Sequence, residues 1–222
     1  MKTFVYGDSF SNHAWCQCPQ DRMWYAQLVR GELIDRTRVS ASTQEMFLLA
    51  TTDAVSNPTA RFILGTGVMY SRMMLYTDQL YADEQRPDSI DSCLQHFDTQ
   101  QLDRALHVGI YHHTLVWSQY LANVISFGSV AQGQQWLITH MNAPANEHIA
   151  VTHPLIQPLL KRTMSMPGYI DHRHSCRHLC EQAGILPHDH AQYGWDGHHS
   201  EAGQHYFGQH IQTIIKEREL WT

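Results

Sequence analysis

Thr3-Phe4-Val5-Tyr6, a short apolar run, stops at Gly7-Asp8-Ser9-Phe10. A run of this kind closed by glycine and a turn-forming aspartate reads as a buried strand entering a turn. Ser9 then stands immediately after the strand, where a turn can expose its hydroxyl and aim its amide outward.

Outward from this run, strand and helix signals alternate. Arg22 to Leu33 pairs Trp24 with Leu28 and Tyr25 with Val29 at i, i+4, which predicts a helix stopping near Gly31. Leu33 to Val39 alternates Leu33, Asp35, Thr37 and Val39 against Ile34, Arg36 and Arg38, a second strand. Ser42-Thr43-Gln44-Glu45 is a capping-box pattern ahead of Met46, Phe47, Leu49 and Ala50, so a helix follows. Arg61-Phe62-Ile63-Leu64-Gly65-Thr66-Gly67 reads as a third strand running into a glycine turn. Ile90, Cys93, Leu94 and Phe97, then Ile110, Trp117, Leu121 and Val124, have helical spacing and predict a helical insertion around residues 78–133. Gln135 to Met141 is a fourth strand, closed by Asn142-Ala143-Pro144. Ser175 to Ala183 is helical with Gly184 as its C′ residue, and Ser200 caps a last helix carrying Phe207, Ile211, Ile214 and Ile215.

Strands alternating with helices predict a parallel sheet covered on both faces. The fold class is α/β, a three-layer α/β/α sandwich with a mostly parallel sheet, formed by residues 1–222 as one domain. In such sheets chemistry gathers where strands end. One rim then collects the Gly7-Asp8-Ser9, Ser40-Ala41-Ser42, Gly65-Thr66-Gly67 and Asn142 turns.

Composition narrows the function classes. The chain has 222 residues, 43% hydrophobic and 16% charged, enough to bury a substantial core. No apolar run is long enough for a spanning helix, and MKTFVYGDSF is too short for the apolar stretch of a signal peptide. The expectation is a cytoplasmic or virion-associated protein with no membrane partner. A formal net charge of −6 argues against broad electrostatic binding to nucleic acid. Only Lys2, Lys161 and Lys216 are lysines, whereas 17 residues are histidine, so protonating every imidazole would carry the charge to +11. The five cysteines, Cys16, Cys18, Cys93, Cys176 and Cys180, are an odd number and read mostly as free thiols. Cys176 and Cys180 share one helical face, for which burial is the commoner explanation.

Acyl transfer needs a nucleophile, a base, a group that orients the base, and oxyanion donors. Ser9 supplies the first, and the loop Gly194-Trp195-Asp196-Gly197-His198-His199-Ser200 supplies a carboxylate and two imidazoles just before the last helix. A sheet protein can bring these two ends of the chain onto one rim. Gly7-Asp8-Ser9-Phe10 after the first strand, with an aspartate and a histidine before the last helix, resembles the SGNH (GDSL-type) hydrolases. That resemblance implies a three-layer α/β/α fold and a Ser–His–Asp esterase acting on O-acyl groups, often of carbohydrates or lipids. It also implies Ser9 as nucleophile, Asp196 as orienting carboxylate, and His198 or His199 as base. The commonest family spacing, Asp-x-x-His, selects His199. The residues that follow, Ser200 two positions and Gly203 five positions after His198, give His198 the better register, with Gly197 allowing the tight turn that would bring Asp196 to its Nδ1.

The middle blocks depart from the family. Its second block offers a glycine N–H to the oxyanion, where this chain has Val39-Ser40-Ala41-Ser42; Ser40 or Ala41 can still donate an amide. Its third block offers an asparagine side chain where this chain has Gly65-Thr66-Gly67-Val68, leaving Ser9, Thr66, Gly67 and Asn142 as candidate donors. Arg72 and Trp195 are candidate substrate contacts, each set against an ordinary structural role. Asp8 reads as a turn-fixing residue. His172, His174 and His178 with Cys176 have metal-ligand spacing but fit a solvated helix face better, and His188-Asp189-His190 is no more specific. No cofactor or metal is expected, and the substrate is a small-molecule or glycan ester. The rival reading is a binding or structural protein, such as a virion component, that keeps the fold with weakened catalysis. A His-liganded metalloprotein is the third.

Overall fold

The computed structural model describes residues 1–38, 41, 43–67, 113–142, 152–190 and 194–221, with backbone alone at 113–116, 188–190 and 194–197. Four strands, β1 (Lys2–Gly7), β2 (Glu32–Thr37), β3 (Arg61–Thr66) and β4 (Gln135–His140), form a wholly parallel sheet in the order β2-β1-β3-β4. Register sets Gly7 beside Thr37 on one side and Gly65 on the other, and Thr66 beside His140. The carboxyl ends of all four strands therefore share one rim. Because β1 has β2 on one flank and β3 on the other, the segment after β1 leaves the sheet at its topological switch point, where open α/β sheets hold their ligands.

The central strands are buried on both faces, which is why β1 and β3 read as near-continuous runs. Phe4, Tyr6, Phe62, Leu64, Trp136 and Ile138 face one core. That core is closed by α1 (Thr43–Ser56), α2 (His113–Val130) and α3 (Gln157–Met164) through Phe47, Ala50, Trp117, Leu121, Phe127 and Leu160. Val5, Ile63 and Leu137 face the other, against Met23, Trp24, Tyr25 and Leu28 and the helices α4 (Cys176–Gln182) and α5 (Glu201–Glu217). Two cores on opposite faces of one sheet make the three layers expected from the sequence. No helix among the described residues is long and apolar enough to cross a membrane.

Caps follow the sequence closely. The Ser175 hydroxyl accepts from His178 N–H at the start of α4, and Ser200 accepts from Gly203 N–H at the start of α5. Gly184, with φ 68°, follows the C-cap Ala183 of α4 as its C′. Arg38 pairs with the buried Glu45 at 2.8 Å, tying the end of β2 to the first turn of α1.

Two expectations are corrected. Residues 22–33 form no α-helix; the segment makes two 3-10 turns, Gln20–Arg22 and Ala26–Leu28, with extended backbone at Met23 and Val29. The i, i+4 pairs arise because Trp24, Tyr25 and Leu28 all bury beneath α5. The Trp24 N–H meets the Gln204 side chain of α5 rather than a carbonyl one helical turn back. Gly208 lets this happen: a methyl group on it would press on the Trp24 carbonyl oxygen. The second correction concerns 194–199, which is not a loop. It forms β6 (Gly194–His199), antiparallel to β5 (Pro187–His190) in a separate two-stranded sheet. Of the expected insertion, residues 78–112 lie outside the described residues and α2 falls within them.

Candidate active site

The turn after β1 is built from its own short polar groups. Asp8 Oδ1 accepts the Phe10 N–H at 3.0 Å, the Asp8 carbonyl accepts Ser11 N–H at 3.0 Å, and the Ser9 carbonyl accepts Asn12 N–H at 3.4 Å. Side chains then anchor the turn to its surroundings. The Cys16 thiol donates to the Ser9 carbonyl at 3.2 Å, and the Trp24 indole donates to Ser11 Oγ at 3.2 Å. Gln204, wholly buried, donates to the Phe10 carbonyl at 3.0 Å while accepting from Trp24 N–H. Among the described residues the Ser9 N–H makes no hydrogen bond.

Ser9 Oγ lies 2.8 Å from Nε2 of His198, a contact between residues 189 positions apart. With the ring proton on Nδ1, Nε2 is the acceptor and the hydroxyl donates. Both residues are buried. The imidazole of His198 stacks on Phe10, centroids 4.3 Å apart and planes 20° from parallel, with Trp15 tilted against it at 6.0 Å. Phe10 and Trp15 thus fix the ring plane. Neither was assigned a role from sequence, although Phe10 closes the motif that singled out Ser9. Cys16 and Gln204 also give no signal of their own, because they act on backbone atoms: Cys16 on the Ser9 carbonyl of the same turn, Gln204 on Phe10 and Trp24 near the other end of the chain.

The next residue is used differently. His199 Nε2 meets the Met141 carbonyl at 2.6 Å, holding the end of β6 to the end of β4. Burial pushes its pKa down to about 4, so the ring stays neutral near pH 7. This corrects the placing of His199 beside His198 as a candidate base: its Nε2 is committed to a carbonyl, and His198 alone reaches Ser9. The idea that Gly197 makes a tight turn is corrected as well, since the backbone there is extended. Asp196 and Trp195 lie in β6, and their side chains fall outside the described residues, as do Ser40 and Arg72 entirely.

Of the candidate oxyanion donors, Ser9 keeps its N–H open. Ala41 N–H is taken by the Arg38 carbonyl at 3.1 Å. The Thr66 hydroxyl donates to the Thr139 carbonyl at 2.9 Å. It sits inside a fully buried network with Tyr120 and His140, so it serves the core rather than the rim. Gly67 has no side chain to offer, and the space a side chain would fill holds the Asp8 carboxylate. Asn142 Oδ1 accepts from Arg177 at 3.4 Å, on the α4 side of the rim.

That buried network is the second unexpected feature. His140 Nε2 stands 3.2 Å from the Tyr120 hydroxyl and 3.0 Å from that of Tyr169, while Nδ1 stands 3.3 Å from Thr66 Oγ1. Burial pushes the His140 pKa down to about 3. The ring is a neutral cross-link between β4, α2 and the segment before the 3-10 turn His172–His174.

No protein-family model matches the chain, and no curated protein matches it. Among solved structures it is similar to TesA, with 12% identity, a TM-score of 0.49, and 98% of this chain and 99% of that one covered. It is also similar to the psychrotrophic esterase EstA of Pseudoalteromonas sp., with 8% identity, a TM-score of 0.46 and 97% of each chain covered. The lipase/acylhydrolase of Enterococcus faecalis is a third, at 12% identity and a TM-score of 0.44, covering 98% of this chain and 97% of that one.

Proposed function

We propose that the chain is a serine hydrolase that cleaves an O-acyl ester of a small molecule or glycan, with Ser9 as nucleophile and His198 as general base. The observation that carries this reading is the 2.8 Å contact between Ser9 Oγ and His198 Nε2 on the rim of a parallel sheet, at its switch point. In the reaction Oγ attacks the ester carbonyl while Nε2 takes its proton. The Ser9 N–H donates to the oxygen as it gains charge, and the protonated imidazole returns the proton to the departing alkoxide. Water then repeats the sequence on the acyl-enzyme. Asp196 stands two positions before His198 in β6 and is proposed as the carboxylate that holds the ring.

A second reading, a glycan-binding or virion protein with weakened catalysis, is favoured by one observation: Gly67 and Asp8 fill the place of a second oxyanion donor. Each such donor is worth about 10²–10³ in turnover. A fluorophosphonate probe separates the two readings. Labelling mapped to Ser9 by mass spectrometry, lost in Ser9→Ala, supports the hydrolase. Folded protein that is not labelled at Ser9 points to the binding protein.

A further inference from the structure

Behind the Ser9–His198 contact lies a cluster that the proposed chemistry does not use. Cys176 and Cys180 sit one turn apart on α4, both buried, with their sulfurs 3.9 Å apart. The ligand atoms of Cys176, Cys180 and His199 all lie within 4.8 Å of one another. We propose that Cys176, Cys180 and His199 form a three-ligand site for a thiophilic divalent cation, Zn²⁺ being the ion whose geometry fits.

Three features support the assignment. The first is spacing: two thiolates at about 2.3 Å from a tetrahedral zinc stand about 3.8 Å apart, close to the observed separation. The second is the histidine. A carbonyl only accepts, so the 2.6 Å contact to Met141 O puts the ring proton on Nε2 and leaves the lone pair on Nδ1. Metal-binding imidazoles are oriented in this way, the other ring N–H donating to a backbone carbonyl. The third is access. A cavity of about 400 Å³ has Cys180 and His199 in its wall, with Arg177, Leu186, Ser200 and Gly203 around them. It gives an ion a way in and leaves the fourth coordination position for water.

A soft sulfur pair with one imidazole selects zinc over magnesium or calcium. Binding converts two thiols to thiolates and releases their two protons to solvent, so the occupied site gains one Zn²⁺ and loses two H⁺. The ion would clamp α4 to the junction of β6 and α5, one residue behind His198.

Cobalt substitution tests the proposal without using activity. The full chain, reduced and stripped with a chelator, is titrated with Co²⁺ alone and then with Zn²⁺. The expected result is one Co²⁺ per chain with a near-ultraviolet thiolate-to-cobalt band. Zn²⁺ should abolish the band and raise the thermal midpoint. Cys176→Ser and Cys180→Ser should each lose the band, and Cys180→Ala provides a second variant should the serine disturb packing. With 17 histidines, surface sites can take up cobalt, but imidazoles alone give no thiolate band. Cobalt uptake without that band, or a band undiminished in both cysteine variants, would overturn the assignment.

Discussion

The Cα of Gly67 lies against the carboxylate of Asp8, so closely that any side-chain carbon at 67 would overlap both carboxylate oxygens. Asp8 in turn holds the Ser9 turn through the Phe10 N–H. Glycine at one position and aspartate at the other are therefore a single steric choice. Gly67→Asn should lower the thermal midpoint and kcat together. In an Asp8→Ala background the same substitution should cost less, with a coupling of about 1–3 kcal/mol in a double-mutant cycle measured by chemical unfolding. Equal costs in both backgrounds would show the two positions to be independent.

Ser9 and His198 act as one unit in the proposed reaction, so their losses should not add. Ser9→Ala and His198→Ala should each lower kcat on short p-nitrophenyl esters by about 10³-fold or more, and the double variant should be no worse than either. A double variant whose loss is the product of the two single losses would argue against the shared proton transfer.

His140 predicts a specific acid sensitivity. Its folded pKa of about 3 lies below the ordinary value of 6.5, so the unfolded chain binds its proton first. Stability from this group is complete above about pH 6.5 and falls as the pH drops toward 3. The slope approaches about 1.4 kcal/mol per pH unit. Unfolding free energy measured from pH 7 to 4 should lose close to one proton's slope in His140→Gln relative to the unchanged chain. Parallel curves would show that His140 does not carry the effect.

Gln204 ties α5 to the Ser9 turn through two buried backbone partners. Gln204→Met keeps the volume and leaves Trp24 N–H and Phe10 C=O without these bonds, at about 1–3 kcal/mol each. Calorimetry should record the lost stability. Steady-state kinetics should show kcat falling more than KM changes, because the turn that holds Ser9 loosens. A stability loss with kcat unchanged would restrict Gln204 to a structural role.

Much of this arrangement is legible in the sequence, for identifiable reasons. The four strands of the parallel sheet carry their signal in apolar runs, and the caps at Ser175 and Ser200 carry theirs in side chains that act on the nearest backbone. Ser9 and His198 were found because a motif sits at each end of the chain. The segment 22–33 misled because burial against α5, not helical periodicity, spaced its aromatic residues. β6 was hidden because Gly-Trp-Asp-Gly-His-His has no apolar alternation to mark a strand. The His140 network joins β4, α2 and the segment around Tyr169, and the Cys176–Cys180–His199 cluster joins α4 to β6, so no local window contains either arrangement.

The 189-residue separation between Ser9 and His198 also has a consequence in time. Ribosomes add about 5–20 residues per second, so Ser9 is added roughly ten to forty seconds before its partner. Throughout that interval Ser9 is an ordinary serine hydroxyl with no imidazole to take its proton. A nascent chain, or one released early by a stalled ribosome, carries the motif but not the reaction. The proposed reactivity would switch on only when β6 closes over the first turn, so an ester would meet a finished molecule or an inert one.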